Sequence, residues 1–226
     1  MARSFHADHR SPFTRQLPKL WRKTAPENKV GLTKNIMQRT VLSFCVLMLS
    51  AGVNAQAVQP NQLFSGKLLN LHAPSTPGWK IVSNSGAGMA FARRGEDSNE
   101  SYGAQVMLFQ LAETRSQEQF VELIRGSVEA DAPPDRFTQV EAKYEYSELR
   151  GYPCVRYAGI TEDTKAKTGL FSRESLKLQI EALYCRHPVH LGAGFMAGFS
   201  HRGNGIDPEL RQQADKFIEG VQVPVP

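Results

Sequence analysis

The chain of 226 residues is poor in cysteine, with three, and in tryptophan, with two, and it contains no uninterrupted apolar stretch near the ~20 residues a membrane-spanning helix requires. The first shortage excludes a cysteine-rich zinc module or a densely cross-linked scaffold. The lack of a long apolar run argues against a bilayer span built from a single helix. There is no G-x-S-x-G nucleophile elbow, and Ser, His and Asp follow no order whose spacing supports a triad. No self-similarity recurs at solenoid periods, so repeat architectures are excluded as well.

What is present begins with a leader. From Met37 the chain reads one arginine, a charge-free stretch from Val41 to Leu49, then small and polar residues closing on Val53-Asn54-Ala55. This is the layout of a secretory signal peptide over 37–55, with cleavage expected between Ala55 and Gln56. The alternative is a membrane anchor that is never cut, with the basic segment on the cytoplasmic side. Residues 1–36 hold eight Lys or Arg, two acids and three prolines without apolar periodicity, which predicts a disordered basic leader or a start assigned ahead of Met37.

The leader also distorts the charge. The whole chain carries 27 basic and 22 acidic residues, a net of +5 that invites a nucleic-acid reading. Met1–Ala55 holds nine of the former and two of the latter, so the remainder carries a net of −2. A nucleic-acid partner is therefore not expected of the exported chain, and neither is a stable membrane span after processing.

Loss of Cys45 with the signal leaves Cys154 and Cys185, an even pair in an oxidising compartment, periplasmic or secreted. Cys154 opens a Tyr, Val and Ile-rich stretch, and Cys185 closes Leu176-Lys177-Leu178-Gln179-Ile180-Glu181, whose apolar and polar residues alternate. Both predict strands. A hairpin around Lys167-Thr168-Gly169, centred between Gly169 and Leu170, sets the two cysteines opposite each other and predicts a disulfide. The rival is a thiolate at Cys185 paired with His187 on the same strand face, which strands the other cysteine unpartnered.

Along 56–78 the chain shows little pattern before a Pro and Gly cluster, and is expected as an extended N-terminal segment ahead of one α+β domain over 79–226. Strands are expected over 79–83, 89–93, 102–111, 137–147, 152–161, 173–186 and 189–200. Phe120, Leu123, Ile124 and Val128 recur at helical spacing behind a Ser116 and Gln119 capping pair, so a helix is expected there. A second helix follows Asp207 as cap and Pro208 as first helical residue, with Leu210, Ala214, Phe217 and Ile218 on one face. The order predicts an antiparallel sheet of six to seven strands with two packing helices.

Thr76-Pro77-Gly78-Trp79, the Gly151-Tyr152-Pro153 strand opener, the late hairpin and the closing helix resemble the PsbP and Mog family of α/β/α sandwiches. The resemblance implies a binding or accessory role without catalysis, toward an unknown protein or small ligand of the cell envelope, and no cofactor.

Candidate site residues are few. Arg156, Arg186, His187 and Arg202 are candidate contacts for an anion or other ligand, since the guanidinium fork suits oxyanions; Arg150 lies near them. The bland alternative is a solvated face with ion pairs to Glu148, Glu162 and Glu181. His187, His190 and His201 are the clustered imidazoles, but three residues separate His187 from His190, so only a turn at Pro188 brings them together, and no acid accompanies them at ligand spacing. No metal site is expected. The alternative from another class is a small periplasmic enzyme, or a metal or anion binder, using His187, His190 or His201 with an acid such as Asp163. The glycines of Leu191–Gly198 superficially match a dinucleotide loop, but Phe195, Ala197 and Phe199 alternate as in a strand packed under a helix, and the turn is expected at Ser200–Gly205.

Overall fold

A computed structural model describes residues 56–166 and 175–224, all within one compact unit. Ten strands and two helices follow in order. They are β1 (Gln56–Ala57), β2 (Leu63–Ser65), β3 (Asn70–His72), β4 (Lys80–Ser85), β5 (Gly88–Arg94), β6 (Ser101–Gln110), α1 (Gln117–Ala130), β7 (Phe137–Ser147), β8 (Cys154–Asp163), β9 (Leu176–Arg186), β10 (Ala193–Gly203) and α2 (Leu210–Glu219). Eight of the strands form one sheet in the order β1-β4-β5-β6-β10-β9-β8-β7, and every pairing in it is antiparallel. β2 and β3 form a separate two-stranded ribbon.

The α+β class and both helices match the expectation, but the strand count does not. The additional strands, β1, β2 and β3, are two or three residues long, too short for alternation to register. Apolar residues in and beside them are nonetheless used: Val58, Leu69 and Leu71 are buried in the core. β10 also runs further than expected, through His201 to Gly203, because the chain turns earlier, over Pro188–Gly192, where Gly192 adopts φ +75°.

Period-two alternation sorts the sheet's two faces onto two cores. On one face Phe91, Leu183, Phe195, Ala197 and Phe199 pack with Leu210, Ala214, Phe217 and Ile218 of α2. On the other, Val155, Leu178, Ile180, Ala182, Tyr184 and Met196 pack with Phe120, Ile124 and Val128 of α1. The helices therefore cover opposite faces. The glycines of β10 meet side chains of the sheet itself: a Cβ on Gly194 would strike the Phe109 ring, and one on Gly198 the Met196 sulfur. No helix opens on them, which removes the dinucleotide reading.

Local chemistry sets the helix ends. Ser116 caps α1 by accepting the Gln119 N–H at 3.2 Å, while the Gln119 side chain accepts the Arg115 N–H at 2.8 Å. α2 begins later than expected, at Leu210, because Asp207-Pro208-Glu209 forms a preceding turn in which the Asp207 carboxylate accepts the Glu209 N–H at 2.8 Å. At its other end Arg150 donates to the carbonyls of Ile218, in the last turn, and Val221, just beyond it.

The expected turn over residues 167–169, and the expected hairpin centre at Gly169 and Leu170, lie outside the described residues. The register on either side of it is clear. β8 and β9 pair Cys154 with Cys185 directly, and a disulfide joins them (S–S 2.08 Å). With the cysteines 31 positions apart in sequence, breaking this bond costs roughly 3 to 4 kcal/mol by the chain-entropy account. Urea unfolding of the oxidised protein and of a Cys154→Ser, Cys185→Ser variant should differ by that amount, as a shift in midpoint; coincident curves would show the link to be idle.

Candidate functional site

α1 packs over β7 and β8, at one side of its face, and among the described residues no helix packs to a comparable extent on the β4, β5 and β6 side of that face. There lies a groove of ≈ 620 Å³. Its floor follows the ladder: Ala92 of β5 is opposite Gly103 of β6, which is opposite Ser200 of β10. No floor residue is larger than serine. Val82 and Leu176 add apolar walls, and Pro77 and Gly78 close one side.

Charge enters from three strands. Lys80 is opposite Ala92, while Arg94 and Arg202 are both opposite Ser101, one on each side of it. Lys80 and Arg94 are exposed and have no ion-pair partner among the described residues. Arg93, next along β5, turns to the other face and stacks over Tyr102 and Trp79 at 4.4 and 5.6 Å from the ring centroids.

Arg202 also ties the groove to a buried ionic cluster. The Asp163 side chain is fully buried; Arg136 holds both its oxygens, at 2.9 and 2.7 Å, and Arg202 donates Nη2 to Oδ2 at 2.8 Å. Burial by itself raises the pKa of this carboxyl, but the Arg136 hydrogen bonds and the Arg202 and Arg136 charges outweigh it and hold the group below its ordinary range. Arg202 Nε finds no acceptor among the described residues.

The arginines and histidines singled out by sequence are not gathered in one place. Arg156 lies on the α2 face and binds Glu181 and, through Nη1, Asp215 of α2. Arg186 donates to Thr114 at 2.5 Å and stacks on Phe120 of α1. Gly194, the β10 partner of Arg186, is eight positions before Arg202, so Arg186 and Arg202 stand roughly 26 Å apart along the strand direction. Arg202 alone of the four lines the groove.

His187 organises the β9–β10 turn. Its Nε2 donates to the Leu68 carbonyl at 3.1 Å and its Nδ1 accepts the N–H groups of Val189 and His190 at 3.2 and 3.1 Å. The turn at Pro188 brings the His187 and His190 rings to 4.8 Å. His201, also buried, lies on the α2 face and pairs with Glu100 at 2.8 Å. Its acid is thus Glu100 and not Asp163, which sits on the opposite face. Neither buried imidazole bonds a hydroxyl or thiol, and no group of three or more His, Cys, Asp or Glu is placed to hold a metal, in each case among the described residues. Gln56, at the expected cleavage site, starts β1 opposite Ile81; Ala55 and the leader lie outside the described residues.

Sequence reasoning missed Lys80, Arg94 and Arg136. Lys80 and Arg94 read as the polar beats of two short strands, and nothing local marks the face they share.

No protein-family model matches the chain, and no curated protein matches it. Among solved structures, the chain is similar to the crystal structure of LpqN, involved in cell envelope biogenesis of Mycobacterium tuberculosis. The identity is 14%, the TM-score 0.42, and the match covers 76% of this chain and 92% of that one.

The Asp163 cluster sets a pH dependence. A carboxyl with a lowered folded pKa contributes stability that is fully present above its unfolded value near 3.8 and is lost as pH falls through the folded value. Asp163→Asn should remove roughly 3 to 5 kcal/mol at neutral pH by taking away the buried carboxylate that Arg136 and Arg202 share. Its stability should then fall less steeply than the parent's below about pH 4, as read by urea unfolding at a series of pH values.

Proposed function

We propose that the chain is an exported accessory domain that binds its ligand without transforming it, and that the groove on the uncovered sheet face is where it binds. The observation that carries this is the groove itself: a concave surface of ≈ 620 Å³, in the size range of ligand sites, on a half-sheet that neither described helix covers. In this reading residues 1–36 are a leader, 37–55 a signal peptide cleaved between Ala55 and Gln56, and the mature product one α+β domain of the periplasm or extracellular space. The disulfide between Cys154 and Cys185 supports an oxidising destination. Among the described residues no helix is long and apolar enough to cross a membrane.

Partnership with an envelope protein or small molecule, and the PsbP and Mog resemblance, belong to the same proposal. A catalytic role would fall to His201 with Glu100, a buried pair that lacks a nucleophile within hydrogen-bond distance among the described residues.

The test is the intact mass of the protein recovered from the envelope fraction, measured native and then denatured, with thiol alkylation before and after reduction. The expected chain begins at Gln56 and takes up two alkyl groups only after reduction. A His187→Gln, His201→Gln double variant should retain whatever small molecule the parent retains. A chain that keeps the leader, or a thiol that alkylates without reduction, would refute export with a formed disulfide.

A further inference from the structure

The groove carries more positive charge than it needs for its own folding. Four cationic residues line it, and one of them, Arg93, is turned away and stacked on aromatic rings. The acid that lines it, Glu100, is already engaged: its carboxylate takes a hydrogen bond from the Glu96 N–H at 2.9 Å and pairs with His201 at 2.8 Å. Asp163 is shared between Arg136 and Arg202. Lys80 and Arg94 therefore face the groove without an ion-pair partner among the described residues, while Arg202 lines it as a cation whose charge Asp163 shares with Arg136.

The register makes this charge directional. Arg94, Ser101 and Arg202 form one row across β5, β6 and β10, with the serine in the middle. Adjacent strands lie about 4.8 Å apart, so the two arginine backbones are roughly 10 Å apart, a span two guanidinium forks close on a single oxyanion above the Ser101 hydroxyl. The neighbouring row is Lys80, Ala92, Gly103 and Ser200, which begins with a cation and continues as a floor with almost no side chains. Val82 and Leu176 offer apolar contact beside it.

We propose that the groove binds an amphiphilic anion, its oxyanion head set over Ser101 between Arg94 and Arg202, with Lys80 adding charge. The slim apolar body lies along Ala92, Gly103 and Ser200. This assignment rests on the groove being the binding site and adds the chemistry of what occupies it. Uncompensated cations beside a bare floor distinguish it from a purely apolar cleft, which carries no such row, and from a solvated basic surface, which has no concavity.

Two fluorescent dyes of similar ring structure separate charge from shape: anilinonaphthalene sulfonate, which has an anionic head, and the neutral phenylnaphthylamine. The oxidised protein should bind both saturably and the sulfonate about tenfold more tightly. Lys80→Gln with Arg94→Gln should erase that preference and leave the neutral dye unchanged. Arg202 is kept intact because Asp163 depends on it. Ala92→Phe, which fills the floor, should exclude both dyes; unchanged binding would place the dyes elsewhere and overturn the site.

Equal affinity for the two dyes in the parent protein would overturn the anionic assignment and leave the groove as a binding site. Saturable binding of neither would overturn both. Dodecyl phosphate should displace the sulfonate dye where inorganic phosphate at the same concentration does not. Displacement by inorganic phosphate as well would overturn the amphiphile and leave a site for a free oxyanion.

Discussion

Everything in the sheet is joined through β10. It is the one strand that links the β4–β6 side to the β7–β9 side, pairing with β6 along one edge and β9 along the other. It is also sandwiched between cores: Phe195, Ala197 and Phe199 face α2, and Met196 faces the α1 core. A strand buried on both sides cannot carry charge in its middle, and Ala193–Ser200 carries none. Charge returns at its end, in His201 and Arg202, which point to opposite faces and bind Glu100 and Asp163 respectively. The candidate site is possible because the strand turns polar there while its pairing with β6 continues.

Coverage of the two faces is unequal, and that inequality positions the groove. α2 packs on β9 and β10, while α1 packs on β7 and β8, so among the described residues neither helix covers the β4–β6 side of the α1 face to a comparable extent. A bare half-sheet with large apolar side chains would invite aggregation. Here the two rows across the groove floor carry Gly, Ala, Ser, Lys and Arg instead, with Val82 and Leu176 at the sides, compatible with water when empty and with a flat ligand when filled. The cations divide by duty. Arg136, Arg150, Arg156 and Arg186 bind carboxylates, helix carbonyls or a hydroxyl that the fold supplies, whereas Lys80 and Arg94 have no such partner among the described residues.

Much of the fold was legible where a physical period ran long enough to be seen. Seven strands and both helices came from alternation and helical spacing, and the cysteine pair came from the arithmetic of one hairpin. β1, β2 and β3 escaped because two or three residues have no period. The site was less legible for a different reason. Arg94, Ser101 and Arg202 are neighbours only through the pairing of β5, β6 and β10, and no local feature announces that β6 will pair with a strand some ninety residues later. Arg202 was visible as a cation, but its acid was not, since Asp163 sits at the far end of another strand. The four-residue set Arg156, Arg186, His187 and Arg202 clustered in the chain and then dispersed in space, because strand alternation and hairpin geometry sent each to a different face or end.

The covalent link between Cys154 and Cys185 joins residues directly opposite each other in neighbouring strands, and so it does more than shorten the unfolded chain. A slip of β9 by one residue against β8 would carry Leu178, Ile180, Ala182 and Tyr184 to the α2 face and hand Gln179 and Glu181 to the α1 core. The bond forbids that slip. In the oxidised chain, then, the distinction between the two sides of the sheet survives unfolding, stored as a single fixed point from which the alternation of every later strand can be counted again.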